Sequence, residues 1–315
     1  MFRVFTDRRC LGHSAPPGYP EKPRRLEAVL ESVRAAGLDV VDQGQHPGAE
    51  LAIESIHGGQ YVDRFRRACE RGDGLLDSAD NPLSPGTWQA ARGAVSAALH
   101  AADWMLAAPS RAAFAAVRPP GHHAEAGAAM GFCFFNNVAV AADHLLRMGI
   151  ERIAVLDFDV HHGNGTQHIF EQRQDVLYVS THQHPFYPGT GAATETGRGA
   201  GEGFTLNLPM PAGSTDADFE GVLLDRAIPA LRAFRPDALL VSAGFDAWQN
   251  DPLGGMRVTE DGFRQWGAWL AQFASETCQG RFLEVLEGGY DLENLGGLVQ
   301  CHAAGVLDGF SAASG

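Results

Sequence analysis

The stretch D-F-D-V-H-H-G-N-G at 157–165 sets Asp157, Asp159, His161, His162 and Asn164 behind an apolar run. Residues two apart on an extended strand point to one face, so Asp159 and His161 can converge on a cation. Taken alone, a D-x-H pair is far more often a capped strand end with a satisfied histidine. So dense a polar cluster weighs toward a ligand, because burying it is costly unless a metal or hydrogen bonds compensate. Asp246, in S-A-G-F-D at 242–246, would add a third ligand from a second strand end and leave one position open for water, as catalytic zinc requires. Two aspartates and one histidine nearly neutralise Zn²⁺ and acidify bound water weakly, so proton transfer needs further groups. His122 and His123, fixed behind R-P-P-G, fit a general acid/base pair, and Tyr290 behind E-G-G fits a phenol donor to a developing oxyanion. Alone, the two histidines read better as exposed loop imidazoles, and Tyr290 reads also as an ordinary surface-turn tyrosine.

These groups share a place relative to the strands. Apolar runs at 3–5, 112–117, 152–158, 176–180, 205–208, 238–242 and 282–286 read as strands buried on both faces. Amphipathic stretches at 23–36, 86–107, 136–148, 216–234, 259–276 and 295–307 read as the helices between them, with Ser214, Thr215 and Asp216 as a cap cluster and Pro236 as a stop. The alternation predicts an α/β fold on a largely parallel sheet. Five strand ends carry reactive groups, and in such sheets ligands bind beyond the carboxyl ends of the strands. The glycine-rich segment 189–203 does not lie between a strand and a helix as a phosphate cradle must, and reads as a surface loop.

The chain of 315 residues is 45% hydrophobic and 20% charged, which excludes a disordered, collagenous or coiled-coil protein and fits one large domain over 1–315. A net charge of -14 disfavours nucleic acid and anionic membranes as partners. Cys10, Cys69, Cys133, Cys278 and Cys301 are odd in number, scattered and never C-x-x-C, so neither a disulfide framework nor a cysteine zinc site is indicated. With no apolar leader after Met1 and no run long enough to span a bilayer, the expected location is the cytoplasm.

R-P-P-G-H-H at 118–123, G-F-C-F-F-N-N at 131–137, D-F-D-V-H-H-G-N-G-T-Q at 157–167, S-A-G-F-D at 242–246 and E-G-G-Y at 287–290 together resemble the zinc-dependent histone deacetylase superfamily. The version is similar to class II enzymes and bacterial acetylpolyamine amidohydrolases, and it extends from Pro20 to Asp291. The resemblance implies a three-layer α/β sandwich around an eight-stranded, mostly parallel sheet, the arginase/deacetylase fold. It implies zinc on Asp159, His161 and Asp246, with His123 as base and later acid, His122 as its electrostatic partner and Tyr290 as oxyanion donor. Asp157 orients one histidine; Asn164 stands where class I relatives have a second carboxylate, which favours a neutral, basic histidine. A potassium ion is implied beside the zinc, on the side chains of Asp157 and Ser180 and on carbonyls of Asp159, His161 and Thr181. Phe132 and Tyr187 match the walls of an acyl-lysine tunnel, with the Gly131 carbonyl near the amide and Gly288 beside the substrate. Arg25 matches a residue of an internal acetate channel, and Tyr19 replaces a usual histidine.

The expected reaction is hydrolysis of an N-acetylated amine to acetate, on a protein, peptide or small amine; a homo-oligomer is left open. Polyamine-selective members of the superfamily tend to place an acidic gatekeeper in the D-P-x stretch. Here Leu253 follows Asp251 and Pro252, which favours acetyl-lysine over acetylpolyamine. A two-metal ureohydrolase is disfavoured because Gly163 stands where the bridging carboxylate of D-x-H-x-D would be. A non-catalytic acetyl-lysine reader is disfavoured because no ligand, histidine or tyrosine is lost.

Overall fold

The computed structural model describes residues 1–313. Strands β1 (Phe2–Thr6), β2 (Asp39–Asp42), β5 (Ala112–Ala115), β6 (Ile153–Asp157), β7 (Val176–Gln183), β8 (Thr205–Met210), β9 (Ala238–Ala243) and β10 (Phe282–Leu286) form one sheet in the order β2-β1-β5-β10-β9-β6-β7-β8. Every neighbouring pair in it is parallel. A separate hairpin joins β3 (Leu75–Leu76) to β4 (Ser78–Pro82). The helices are α1 (Pro23–Ala35), α2 (Ala49–Arg71), α3 (Thr87–Leu106), α4 (Asn137–Arg147), α5 (Asn164–Phe170), α6 (Asp216–Val222), α7 (Ile228–Phe234), α8 (Glu260–Thr277) and α9 (Leu295–Ala312).

The seven expected strands and six expected helical stretches all form, with shifted ends. Residues β5, β6, β9 and β10 are buried throughout, as their uninterrupted apolar runs require once helices cover both faces. The stretch 216–234 forms as α6 and α7 joined by a π-helical turn at Leu223–Ala227. The eighth strand, β2, lies at the sheet edge and reads D-V-V-D, too short and polar to stand out. Helix α2 is broken at Gly58, whose φ of 66° interrupts its period.

One buried and one half-exposed polar cluster tie the layers together. Arg118 is fully buried and donates to both oxygens of Glu21 at 2.9 and 2.6 Å and to the carbonyls of Cys10 and His13. Burial would raise the Glu21 carboxyl, but Arg118, with Arg25, holds it down to about 2. Beneath α3 and α4, Gly48 N–H donates to His46 Nδ1, so the proton sits on His46 Nε2, which donates to Asp103 at 2.9 Å; His144 donates to the other oxygen at 2.6 Å. That carboxylate has two imidazole donors and serves as a clasp.

Replacing Glu21 with Gln leaves the Arg118 charge buried without its partner, and is expected to cost about 3–5 kcal/mol in urea unfolding. The carboxylate is lowered from 4.5 to about 2 by folding, so its contribution is present above 4.5 and lost as pH falls through about 2. Acid titration of wild type against the variant should show that loss in wild type alone.

Candidate active site and metal centre

Strand β6 ends at Asp157, whose register neighbours on the two flanking strands are Ser180 and Ser242. Past that end the chain turns, and Asp159 and His161 project toward Asp246, which lies just beyond β9. One ligand atom from each of Asp159, His161 and Asp246 falls within 4.8 Å of the others. His161 Nδ1 is 3.1 Å from Asp159 Oδ1 and 3.1 Å from Asp246 Oδ2. The outer oxygens are held from behind: Gly288 N–H donates to Asp159 Oδ2 at 2.8 Å and Val160 N–H to Asp246 Oδ1 at 2.9 Å. The inner oxygens and the imidazole nitrogen thus face one point. Burial opposes charge here, yet the two carboxylates push His161 up to about 10, because they demand a positive charge between them. A divalent cation meets the same demand and releases that proton, so the donor set fits one.

Gly288 permits this approach. A Cβ there would lie 2.1 Å from Asp246 Oδ2 and 2.6 Å from Asp159 Oδ2. Gly288 therefore lies against both carboxylates and leaves no room for a side chain.

The loop carrying His122 and His123 is fixed by Glu287 at the end of β10, whose Oε2 accepts the N–H of Gly121 at 2.6 Å and of His122 at 3.1 Å. Burial pushes the Glu287 carboxyl up to about 7. His122 Nδ1 is 3.0 Å from Asp157 Oδ2, which also accepts from Tyr178. Burial would lower His122, but Asp157 and Asp159 push it up to about 10. His123 moves the other way: burial and the charges of His122 and His161 hold it well below its ordinary value. Its Nδ1 lies 2.7 Å from Asn164 Oδ1. Adjacent imidazoles of one loop are thus pushed in opposite directions.

Tyr290 is buried, and burial pushes its phenol well above the usual range, keeping it a proton donor. Its N–H donates to Asp251 Oδ2 at 2.6 Å, and Leu253 N–H donates to Asp251 Oδ1 at 2.9 Å, so one carboxylate sets the tyrosine and the loop opposite it. Arg25 lies 4.6 Å over the Tyr290 ring and donates to the carbonyls of Glu287 and Gly289.

His123, His161 and Tyr290 open onto a cavity of about 560 Å³ walled also by Gly131, Phe132, Tyr187 and Leu253. Gly131 is required where it stands: its φ is 56° and a Cβ would reach 2.4 Å from the His123 ring. Tyr19 packs edge-on to Phe132 at 5.3 Å, outside the wall itself. Sequence reading missed three groups. Phe186 stacks on His161 at 5.3 Å; Asp80 lines the cavity and accepts from the Tyr187 hydroxyl at 2.9 Å; Glu287 anchors the histidine loop. Asp80 lies in a polar hairpin with no strand pattern, and the E-G-G-Y motif pointed to Tyr290, not to its glutamate. Ser180 Oγ lies 2.8 Å from His182 Nδ1, and the buried Thr181 Oγ1 has no hydrogen-bond partner among the described residues.

Residues 19–306 match the histone deacetylase domain family. The chain is 39% identical over 310 residues to a histone deacetylase-like amidohydrolase of Pseudomonas aeruginosa, covering 91% of this chain and 80% of that one. It is 36% identical over 332 residues to the acetylpolyamine amidohydrolase of Mycoplana ramosa, covering 95% of this chain and 93% of that one. The crystal structure of an acetylpolyamine aminohydrolase from Burkholderia pseudomallei matches it with a TM-score of 0.88 at 35% identity, covering 99% of each chain.

Gly288 has no left-handed φ, so its backbone accepts alanine and only the clash with the carboxylates distinguishes the variant. Gly288→Ala is expected to weaken zinc binding by about ten-fold or more in chelator competition, with an unchanged far-UV spectrum.

Proposed function

Because the chain belongs to the histone deacetylase family, we propose that it is a zinc-dependent amidohydrolase that releases acetate from N-acetylated amines, acetyl-lysine in peptides before free acetylpolyamines. The observation that carries this reading is the convergence of Asp159, His161 and Asp246 at the foot of a cavity that also presents His123 and Tyr290.

Zinc held by those three residues would supply Lewis acidity toward the acetamide carbonyl and toward water. The protein supplies the rest. His123, kept neutral, takes the proton of the attacking water at Nε2 and returns it to the departing amine. His122, kept positive by Asp157, stabilises the negative charge gathering in front of it. The Tyr290 phenol donates to the carbonyl oxygen as it becomes an oxyanion. Phe132 and Tyr187 flank the alkyl chain, and the Gly131 carbonyl accepts from the scissile amide N–H. The second ion of this reading is potassium, on the side chains of Asp157 and Ser180 and the carbonyls of Asp159, His161 and Thr181; the register pairing of Asp157 with Ser180 supports it.

Leu253 at the cavity wall supports a peptide substrate, since it offers no charge to a remote ammonium. Asp80 favours a second reading, an acetylpolyamine hydrolase, because its carboxylate in the same wall attracts a cationic amine. Among the described residues no helix is long and apolar enough to cross a membrane, and all five cysteines are free, which supports a cytoplasmic location.

Tyr290→Phe is expected to lower kcat by about 10²–10³ with zinc content unchanged, since it removes one oxyanion donor; equal turnover would remove that role. Turnover of an acetyl-lysine peptide should exceed that of N-acetylputrescine, and the reverse order would establish the second reading.

A further inference from the structure

For His123 to act as a base its lone pair must face the cavity. Its Nδ1 lies 2.7 Å from Asn164 Oδ1, and an amide oxygen only accepts, so Nδ1 carries the proton and Nε2 is free. An asparagine is an unreliable partner for this purpose. Turned over, it presents an NH₂ group and demands the opposite tautomer, and the two orientations have nearly the same shape. A carboxylate at this position would accept in either orientation.

The far end of the amide decides. Asn164 Nδ2 donates to Glu125 Oε1, and a carboxylate only accepts. The remaining neighbours of Nδ2, the His123 carbonyl at 3.4 Å and Met130 Sδ at 3.6 Å, are too distant to hold it. Glu125 is itself steadied by His168 Nδ1 at 2.8 Å on the same oxygen. Its backbone is held separately: its N–H donates to the Ala128 carbonyl at 3.0 Å, and its carbonyl accepts from His57 Nδ1 at 3.0 Å. Changing the side chain therefore leaves the loop in place.

We propose that Glu125 is a positioning residue that fixes the Asn164 amide and, through it, the proton on His123 Nδ1. Asn164 transmits the acceptor-only character that a carboxylate in its own place would have. The kinetic consequence rests on the amidohydrolase reading above; the position of the proton does not.

The test uses the zinc-loaded protein and Glu125→Gln, which keeps the shape but can donate as well as accept. The expected result is a fall in kcat of about ten-fold with KM and zinc content unchanged. In the Asn164→Asp background the same substitution should have no effect, because the aspartate accepts from His123 unaided. ¹⁵N NMR of labelled histidine, with the His123 signals assigned by their loss in His123→Gln, should show the Nδ1–H tautomer in wild type and a mixture in Glu125→Gln. An unchanged tautomer in Glu125→Gln overturns the proposal, as does an equal loss of kcat in the Asn164→Asp background. The NMR result stands even if no acetylated amine is turned over, so failure of the hydrolase reading would be told apart from failure of this one.

Discussion

Two buried carboxylates, Asp159 and Asp246, point at the same spot, and the architecture around them exists to make that tolerable. Charges out of water are costly unless paired and hydrogen-bonded. Asp246 spends one oxygen on the Val160 N–H and turns the other toward His161; Asp159 accepts backbone N–H groups on both oxygens, from Gly288 and from His161, and the latter oxygen also faces the His161 ring. That arrangement needs strand ends side by side and a residue without a side chain at 288. An all-parallel sheet supplies the first, since its carboxyl ends all open on one edge.

The same concentration of charge separates the two neighbouring histidines. His122 lies against Asp157 and within reach of Asp159, and is drawn toward imidazolium; His123, one residue on, is buried against positive neighbours and an uncharged amide and stays neutral. Groups with different environments can take different roles in one reaction. Glu287 matters here because it fixes the peptide units that place one ring on each side.

Seven of the sheet strands, most helices and the convergence of Asp159, His161 and Asp246 were legible because each starts from a local signal: an apolar run, a D-x-H, an aspartate just past a strand end. What was hidden depends on partners far along the chain or on patterns too weak to register. Strand β2 is edge-exposed and flanked by aspartates; α2 carries Gly58 and Gly59 in its middle; α5 is a single short helix behind a glycine loop. Asp80 and Glu125 acquire meaning only from Tyr187 and Asn164, which lie elsewhere in sequence. The contact of Gly288 with Asp159 and Asp246 was hidden too, because spacing says which residues meet and not which way a backbone N–H points.

Arg25, near the amino terminus, grips the carbonyls of Glu287 and Gly289 across sequence separations of 262 and 264 residues. The segment bearing Tyr290 is therefore seated by a helix that is remote in sequence, and the Gly288 N–H that orders Asp159 belongs to that same segment. Loosening α1 would disturb a carboxylate and the phenol together, through two carbonyl contacts made by one guanidinium.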